Sequence, residues 1–144
     1  MKVILAGDHH TVDLIKKIED YLKTKNIDYE NIGATDSSIK VRLQDIIPDL
    51  TNKVKSDSSS QGILACGTGT GVEIGANRFK GIRAALCITP KQAEYARVYD
   101  NANVLCLSSW ITKDPEGILD SWFSNGFDGS ESRSKMIKDF DEWQ

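Results

Sequence analysis

The sequence predicts an α/β fold: a Rossmann-like three-layer sandwich with a five-stranded parallel sheet and a C-terminal helix. Three observations lead there. Short aliphatic runs alternate with segments whose apolar residues recur at helical spacing. The runs read as continuously apolar, as strands buried on both faces do. Two of them end directly in glycine turns, at Gly7 and Gly67. Alternating strands and helices imply a parallel sheet covered on both sides.

Lys2 to Ala6 is the first strand, leaving the sheet at Gly7-Asp8. A helix follows, with Leu14, Ile15, Ile18, Tyr21 and Leu22 on one face, Lys16, Lys17, Glu19, Asp20 and Lys23 on the other, and Thr11 or Asp13 as its cap. Asn26 to Ile32 reads as the second strand, and the turn formers Thr35, Asp36, Ser37 and Ser38 come next. Leu43, Ile46, Ile47, Leu50 and Val54 predict a helix over 41–55. Pro48 is discordant there, because it removes an internal hydrogen bond, and it moves the predicted start toward Ile47. Gly62 to Cys66 is the third strand, followed by Gly67-Thr68-Gly69-Thr70-Gly71 and a helix from about Val72. Ile82 to Cys87 is the fourth strand. Pro90 opens a helix toward Tyr99, and Asn103 to Leu107 is the fifth strand. Pro115 opens a helix with Ile118, Leu119, Trp122 and Phe123, and 132–143 forms the last, amphipathic one. No composition shift or linker divides the chain, so 1–144 reads as a single domain.

Eighteen Lys and Arg against 21 Asp and Glu leave a formal charge of −3, which provides no global field for nucleic acid or an anionic membrane. An anionic ligand must meet a local site. The opening MKVILAGDHH is too short an apolar run for a secretory segment and no stretch approaches a membrane span, so the expected location is the cytoplasm. Cys66, Cys87 and Cys106 are odd in number and lack a CxxC pair, so neither a disulfide framework nor a metal site is expected.

Ligands of open α/β sheets collect beyond the C-terminal ends of the strands. Those ends carry Gly7-Asp8-His9, Cys66 to Gly71, and Ser108-Ser109-Trp110. The 67–71 turn has no Gly-Lys-Ser/Thr and no GxGxxG spacing, which excludes a nucleotide P-loop and a dinucleotide fingerprint. Two readings stay open for it: a tight packing turn, or a cradle of backbone N–H groups for an anion. A thiol at a strand end facing a helix start is placed where a thiolate is reactive, which favours Cys66 as functional, whereas Cys87 and Cys106 fit the core. Thr68 is available to donate to an oxyanion. Asp8 and His9 serve either as cap and turn residues or as ligands of sugar hydroxyls and phosphate. His10 reads only as a solvated turn residue, and Asp100 to Asn103 as a connector.

The run from Cys66 to Ala85, CGTGTGVEIGANRFKGIRAA, resembles the signature of the ribose-5-phosphate isomerase B and galactose-6-phosphate isomerase family, close to CGTGxGxxxxANKxxGIRAA. Gly7-Asp8-His9 and Ala102-Asn103-Val104-Leu105 extend the likeness over nearly the whole chain. The resemblance implies aldose–ketose isomerisation of a small sugar phosphate through a cis-enediolate, without metal or cofactor, in a homodimer or dimer of dimers whose active sites take residues from both subunits. It implies Cys66 as the base between C1 and C2, and Thr68 with the amides of Gly67, Gly69 and Gly71 around the enediolate oxygen. Asp8 would hold sugar hydroxyls and His9 would lie toward the phosphate. Tyr99 stands where the ribose enzymes carry a ring-opening histidine, with Asp100 beside it. Ile47-Pro48 replaces the usual Tyr-Pro, Trp110 occupies the place of a phosphate-binding arginine, and the C-terminal basic pair is Arg133 and Lys135. A neutral phenol is a weaker acid than imidazolium near pH 7. A tetrose 4-phosphate, whose terminal hydroxyl is esterified, closes no furanose and needs no such acid. Two alternatives accompany this reading: a galactose-6-phosphate isomerase B-type subunit that requires a partner chain, and a non-catalytic sugar-phosphate-binding paralogue.

Overall fold

The computed structural model describes residues 1–143. Its elements are β1 (Lys2–Gly7), α1 (Val12–Thr24), β2 (Asp28–Asn31), α2 (Leu43–Ser56), β3 (Gln61–Cys66), α3 (Thr70–Ala76), β4 (Ala84–Leu86), α4 (Pro90–Val98), β5 (Val104–Ser108), α5 (Pro115–Ser124) and α6 (Glu131–Glu142). The five strands form one sheet in the order β2-β1-β3-β5-β4, and every pairing is parallel. The α/β class and the five-stranded parallel sheet read from the sequence are thus observed.

Strand periodicity distributes the core. Val3, Leu5, Ile63, Ala65, Leu105 and Leu107 point to the face covered by α1, α4 and α5. Ile4, Ala6, Leu64, Cys66, Val104 and Cys106 point to the face covered by α2 and α3. Because both faces are buried, the three central strands carry no polar alternation, which is why they read as continuous apolar runs. Trp122 of α5 is fully buried, and its indole N–H donates to Gln61 Oε1 at 2.7 Å, which satisfies its one polar atom.

Several boundaries differ from the sequence expectation. β2 is shorter than 26–32, because Asn26 turns with φ 54° and the Ile27 N–H closes the end of α1 on the Leu22 carbonyl at 2.9 Å. β4 spans three residues rather than 82–87 and lies at an edge, so one side of it lacks a neighbouring strand. Helix α3 supplies the partners: Asn77 Nδ2 donates to the Ala84 carbonyl, the Ala84 N–H donates to Asn77 Oδ1, and the Leu86 N–H donates to Glu73 Oε1. α3 itself starts at Thr70, two residues earlier than expected. α2 starts at Leu43 rather than near Ile47, with Pro48 in its interior. The buried Ile46, Ile47, Leu50 and Val54 hold that helix against the sheet despite the missing N–H. Thr11 occupies the cap position of α1, but its hydroxyl donates to the Asp8 carbonyl at 2.8 Å rather than accepting from the helix.

The strand order fixes where a site can form. From β1 the chain moves outward to β2 on one side, and the next strand, β3, returns to the other side of β1. The connections leaving β1 and β3 therefore diverge to opposite faces, and a crevice opens between their C-terminal ends. β5 lies against β3, with Cys66 opposite Ser108, so its exit loop borders the same crevice.

Candidate active site

Cys66 is the last residue of β3 and only 4 % exposed. Its Sγ accepts the Gly69 N–H at 3.1 Å and lies 3.9 Å from Thr68 Oγ1. The turn curls back this tightly because Gly69 adopts φ +77°, a left-handed conformation that glycine takes without strain. The carbonyls of the turn are tied to the exit of β5: Ser109 N–H donates to Cys66 O, while Trp110 N–H and Ser108 Oγ donate to Gly67 O. Thr68 is exposed and accepts the Thr70 N–H at 3.2 Å, which leaves its hydroxyl proton for the Cys66 sulfur or for a group in the crevice. The first-turn amides of α3, including that of Gly71, have no partner within the helix. A thiol, a hydroxyl and the start of α3 thus meet on one turn, with the Gly69 and Thr70 amides already engaged by the Cys66 sulfur and the Thr68 hydroxyl.

The loop after β1 forms the other wall. Asp8 is 7 % exposed, and its backbone N–H reaches across to the Ala65 carbonyl at 3.3 Å. Its carboxylate takes two bonds from one neighbour: the His10 backbone N–H on Oδ1 at 3.0 Å and the His10 Nδ1 on Oδ2 at 3.2 Å. His10 is an exposed turn residue, as the sequence reading has it, and in addition its ring is fastened to Asp8. Its ring lies 4.2 Å from that of His9 and stands edge-on to Trp110 at 5.7 Å. The Trp110 indole in turn covers Gly67 so closely that a Cβ there would sit 2.5 Å from Cζ2. Two buried polar atoms of these loops have no protein partner, His9 Nδ1 and Ser109 Oγ. Buried polar groups are normally satisfied, so these two atoms have room for a polar group from outside the chain, as do Arg97 Nε and Ser130 Oγ elsewhere in the fold.

Tyr99, Asp100, Arg133 and Lys135 are not brought to this edge. Tyr99 ends α4, and 99–103 leads into Val104, which pairs with Gly62 at the start of β3. These residues therefore lie at the opposite end of the sheet from Cys66, about 13 Å along the strand direction. There the Arg133 guanidinium stacks on the Tyr99 ring at 4.1 Å and pairs with Asp128, while the exposed Lys135 pairs with Asp139 at 2.8 Å. A cavity of about 450 Å³ at the β4 edge, lined by Arg83, Asp100, Phe140 and Asp141 among others, contains no group from the Cys66 wall.

The other two thiols are set apart by their surroundings. Burial pushes the Cys87 thiol up to about 12, and burial likewise holds Cys106 well above the ordinary thiol range.

Residues 3–138 match the family model described as Ribose/Galactose Isomerase. The chain belongs to the ribose/galactose isomerase family. It is 38 % identical over 139 residues to a probable ribose-5-phosphate isomerase B of Mycoplasma genitalium, covering 94 % of this chain and 91 % of the relative. It is 31 % identical over 141 residues to a D-erythrulose-4-phosphate isomerase of Pectobacterium atrosepticum, covering 96 % and 92 %. The crystal structure of Mycoplasma genitalium ribose-5-phosphate isomerase B with bound ribulose-5-phosphate superimposes with a TM-score of 0.91 at 36 % identity, covering 99 % of this chain and 95 % of that one. In this member of the ribose/galactose isomerase family the long signature divides physically. Residues 66–71 build the turn that carries the thiol. Glu73, Asn77 and Arg83 build the support of edge strand β4, Arg83 by donating to the carbonyls of Asn101 and Gly81 and pairing with Asp141 at 3.2 Å.

Proposed function

We propose that the chain is a cytoplasmic aldose–ketose isomerase of a small sugar phosphate, acting as one domain in a homodimer. The observation that carries this is the Cys66 thiol at the crevice, with the Gly69 N–H on its sulfur and Thr68 beside it, inside the family's own motif. As a thiolate, Cys66 removes a proton from the carbon next to the carbonyl, and the electron pair moves into a C1=C2 bond as charge develops on oxygen. Thr68 and the amides of Gly67 and Gly71 stabilise the enediolate oxygen, while the Gly69 N–H stays on the sulfur and favours the thiolate. Cys66 then returns the proton to the neighbouring carbon. No step calls for a redox change or a metal.

In this reading His9 lies toward the phosphate, its unpartnered Nδ1 supporting that assignment. Tyr99, Asp100, Arg133 and Lys135 stand too far from Cys66 to serve the same chain's site, so a second copy delivers them. The exposed Tyr95, Tyr99, Phe140 and Trp143 around that end provide apolar surface for such pairing. Three unpaired cysteines suit a reducing compartment, and no helix among the described residues is long and apolar enough to cross a membrane.

The substrate reading follows from Tyr99. A phenol is a poor ring-opening acid at neutral pH, which favours a sugar that is already open, and a 4-phosphorylated tetrose fits. The test is to assay the purified protein against erythrulose 4-phosphate, ribose 5-phosphate and galactose 6-phosphate. Turnover is expected with the tetrose above the other two, and inactivity on all three refutes the proposal.

A further inference from the structure

We infer that His10, held by Asp8, is a second acid–base group of the isomerisation, carrying the oxygen-bound protons while Cys66 carries the carbon-bound one. The inference rests on the isomerase reading above and assigns a role that the Cys66 chemistry leaves open. Moving a carbonyl from C2 to C1 requires two proton transfers on carbon and two on oxygen. A single thiol facing the carbons serves only the first pair.

The geometry singles out His10 among the groups at this edge. Asp8 is buried, and it holds the histidine twice, by the backbone N–H at 3.0 Å and by the ring Nδ1 at 3.2 Å. The second bond fixes Nδ1 as the proton donor to the carboxylate, which leaves Nε2 to exchange protons outward. The side chain is 47 % exposed, so the ring is fastened at one nitrogen and accessible at the other. It is not remote from the thiol. Asp8 bonds to Ala65, the residue before Cys66, and the ring edge meets Trp110, whose indole lies on Gly67, the residue after it. His9 has its Nδ1 buried and no carboxylate to set its tautomer.

From the ketose, the Cys66 thiolate takes the C1 proton, the C1–H pair forms C1=C2, and the C2=O2 π pair moves to O2, giving the enediolate; in a separate step O2 takes a proton from His10 Nε2. The neutral His10 next removes the O1 proton as that O–H pair forms C1=O1. The C1=C2 pair then takes the proton from the Cys66 thiol at C2. Thiolate and imidazolium are both restored, and the aldose is formed.

The test separates carbon from oxygen transfer. Ribulose 5-phosphate and erythrulose 4-phosphate are incubated in D₂O with wild type, His10→Gln and His10→Asn. NMR follows both loss of the C1 proton and appearance of aldose. A group that serves only the oxygens is needed for completion, not for reversible enediolate formation. Both variants are therefore expected to lose isomerisation by about 100-fold while C1 exchange falls by less than about tenfold, raising the ratio of exchange to isomerisation. Asp8→Asn should raise the same ratio, because it acts through His10. Parallel loss of both rates in both variants, or isomerisation within about threefold of wild type, overturns the inference. Wild type that shows neither exchange nor isomerisation overturns the isomerase reading itself, an outcome distinct from either.

Discussion

Gly69→Ala tests the turn that positions the thiol. The residue has φ +77°, where a β-carbon meets its own carbonyl at a cost of about 1–2 kcal/mol. The added carbon would also lie 2.6 Å from Leu86 Cδ1 and 3.1 Å from the Leu107 carbonyl. The leucine methyl has some room to move, but the carbonyl belongs to β5, a strand paired on both sides. Overpacking of this kind costs ~1–3 kcal/mol. The stiffer unfolded chain returns ~0.5–1 kcal/mol, leaving a net loss of about 1–4 kcal/mol. Urea unfolding is the assay, and the loss corresponds to a midpoint lower by about 0.5–2 M. Gly71→Ala is the internal control: its φ is not positive, and the nearest atom to an added carbon is Leu43 Cδ1 at 3.2 Å, the end of a flexible side chain. It should cost less than about 1 kcal/mol. Equal midpoints for the two variants would refute the reasoning.

Pro48→Ala restores the N–H that α2 lacks toward the Gln44 carbonyl and should stabilise the protein by about 1 kcal/mol in the same assay. Cys87 predicts an alkaline loss of stability. Its thiol titrates at about 12 when folded and near the ordinary ~8.5 when unfolded. Below the lower value both states keep the proton and the stabilisation is complete. Above it the unfolded state releases its proton first, so stability falls with rising pH by up to about 1.4 kcal/mol per unit until the folded thiol ionises. Urea midpoints at pH 8 and 10 should therefore diverge less in Cys87→Ala than in wild type. For the shared site, Cys66→Ala mixed with Arg133→Ala, which removes a basic group that the second copy delivers toward the substrate, should regain about a quarter of wild-type activity after joint refolding, because half the dimers are mixed and each mixed dimer has one intact site. Two inactive parents that stay inactive together would exclude shared sites.

The fold was legible where burial is two-sided. Leu5, Ile63, Leu105 and their neighbours announce central strands because nothing polar interrupts them. β2 and β4 were overdrawn for the opposite reason. Edge strands end where pairing ends, and in β4 that limit is set by Asn77 and Glu73, thirteen residues or fewer away in sequence but on another element. Pro48 misled because local propensity was outweighed by four buried aliphatic residues on the same helix. Cys66, Thr68 and the glycines were legible as a candidate site, and their meeting on one turn at a strand end is what the structure shows. His10 was not legible, since only the folded turn shows that Asp8 bonds back to it and that Trp110, a hundred residues on, closes over the same spot. A histidine immediately after Asp-His at a strand end was the one available signal. The distance of Tyr99, Arg133 and Lys135 from Cys66 was likewise invisible without knowing which end of each strand they border.

The central claim is that the Cys66 thiolate moves the proton between adjacent carbons of a sugar phosphate. The direct measurement is deuterium incorporation at carbon from D₂O during turnover of the ketose phosphate, compared between wild type and Cys66→Ala. The account predicts solvent deuterium at C1 of recovered ketose and C2 of product with wild type, and loss of both by at least about a hundredfold in the variant. Exchange that persists in Cys66→Ala at the wild-type rate would contradict it.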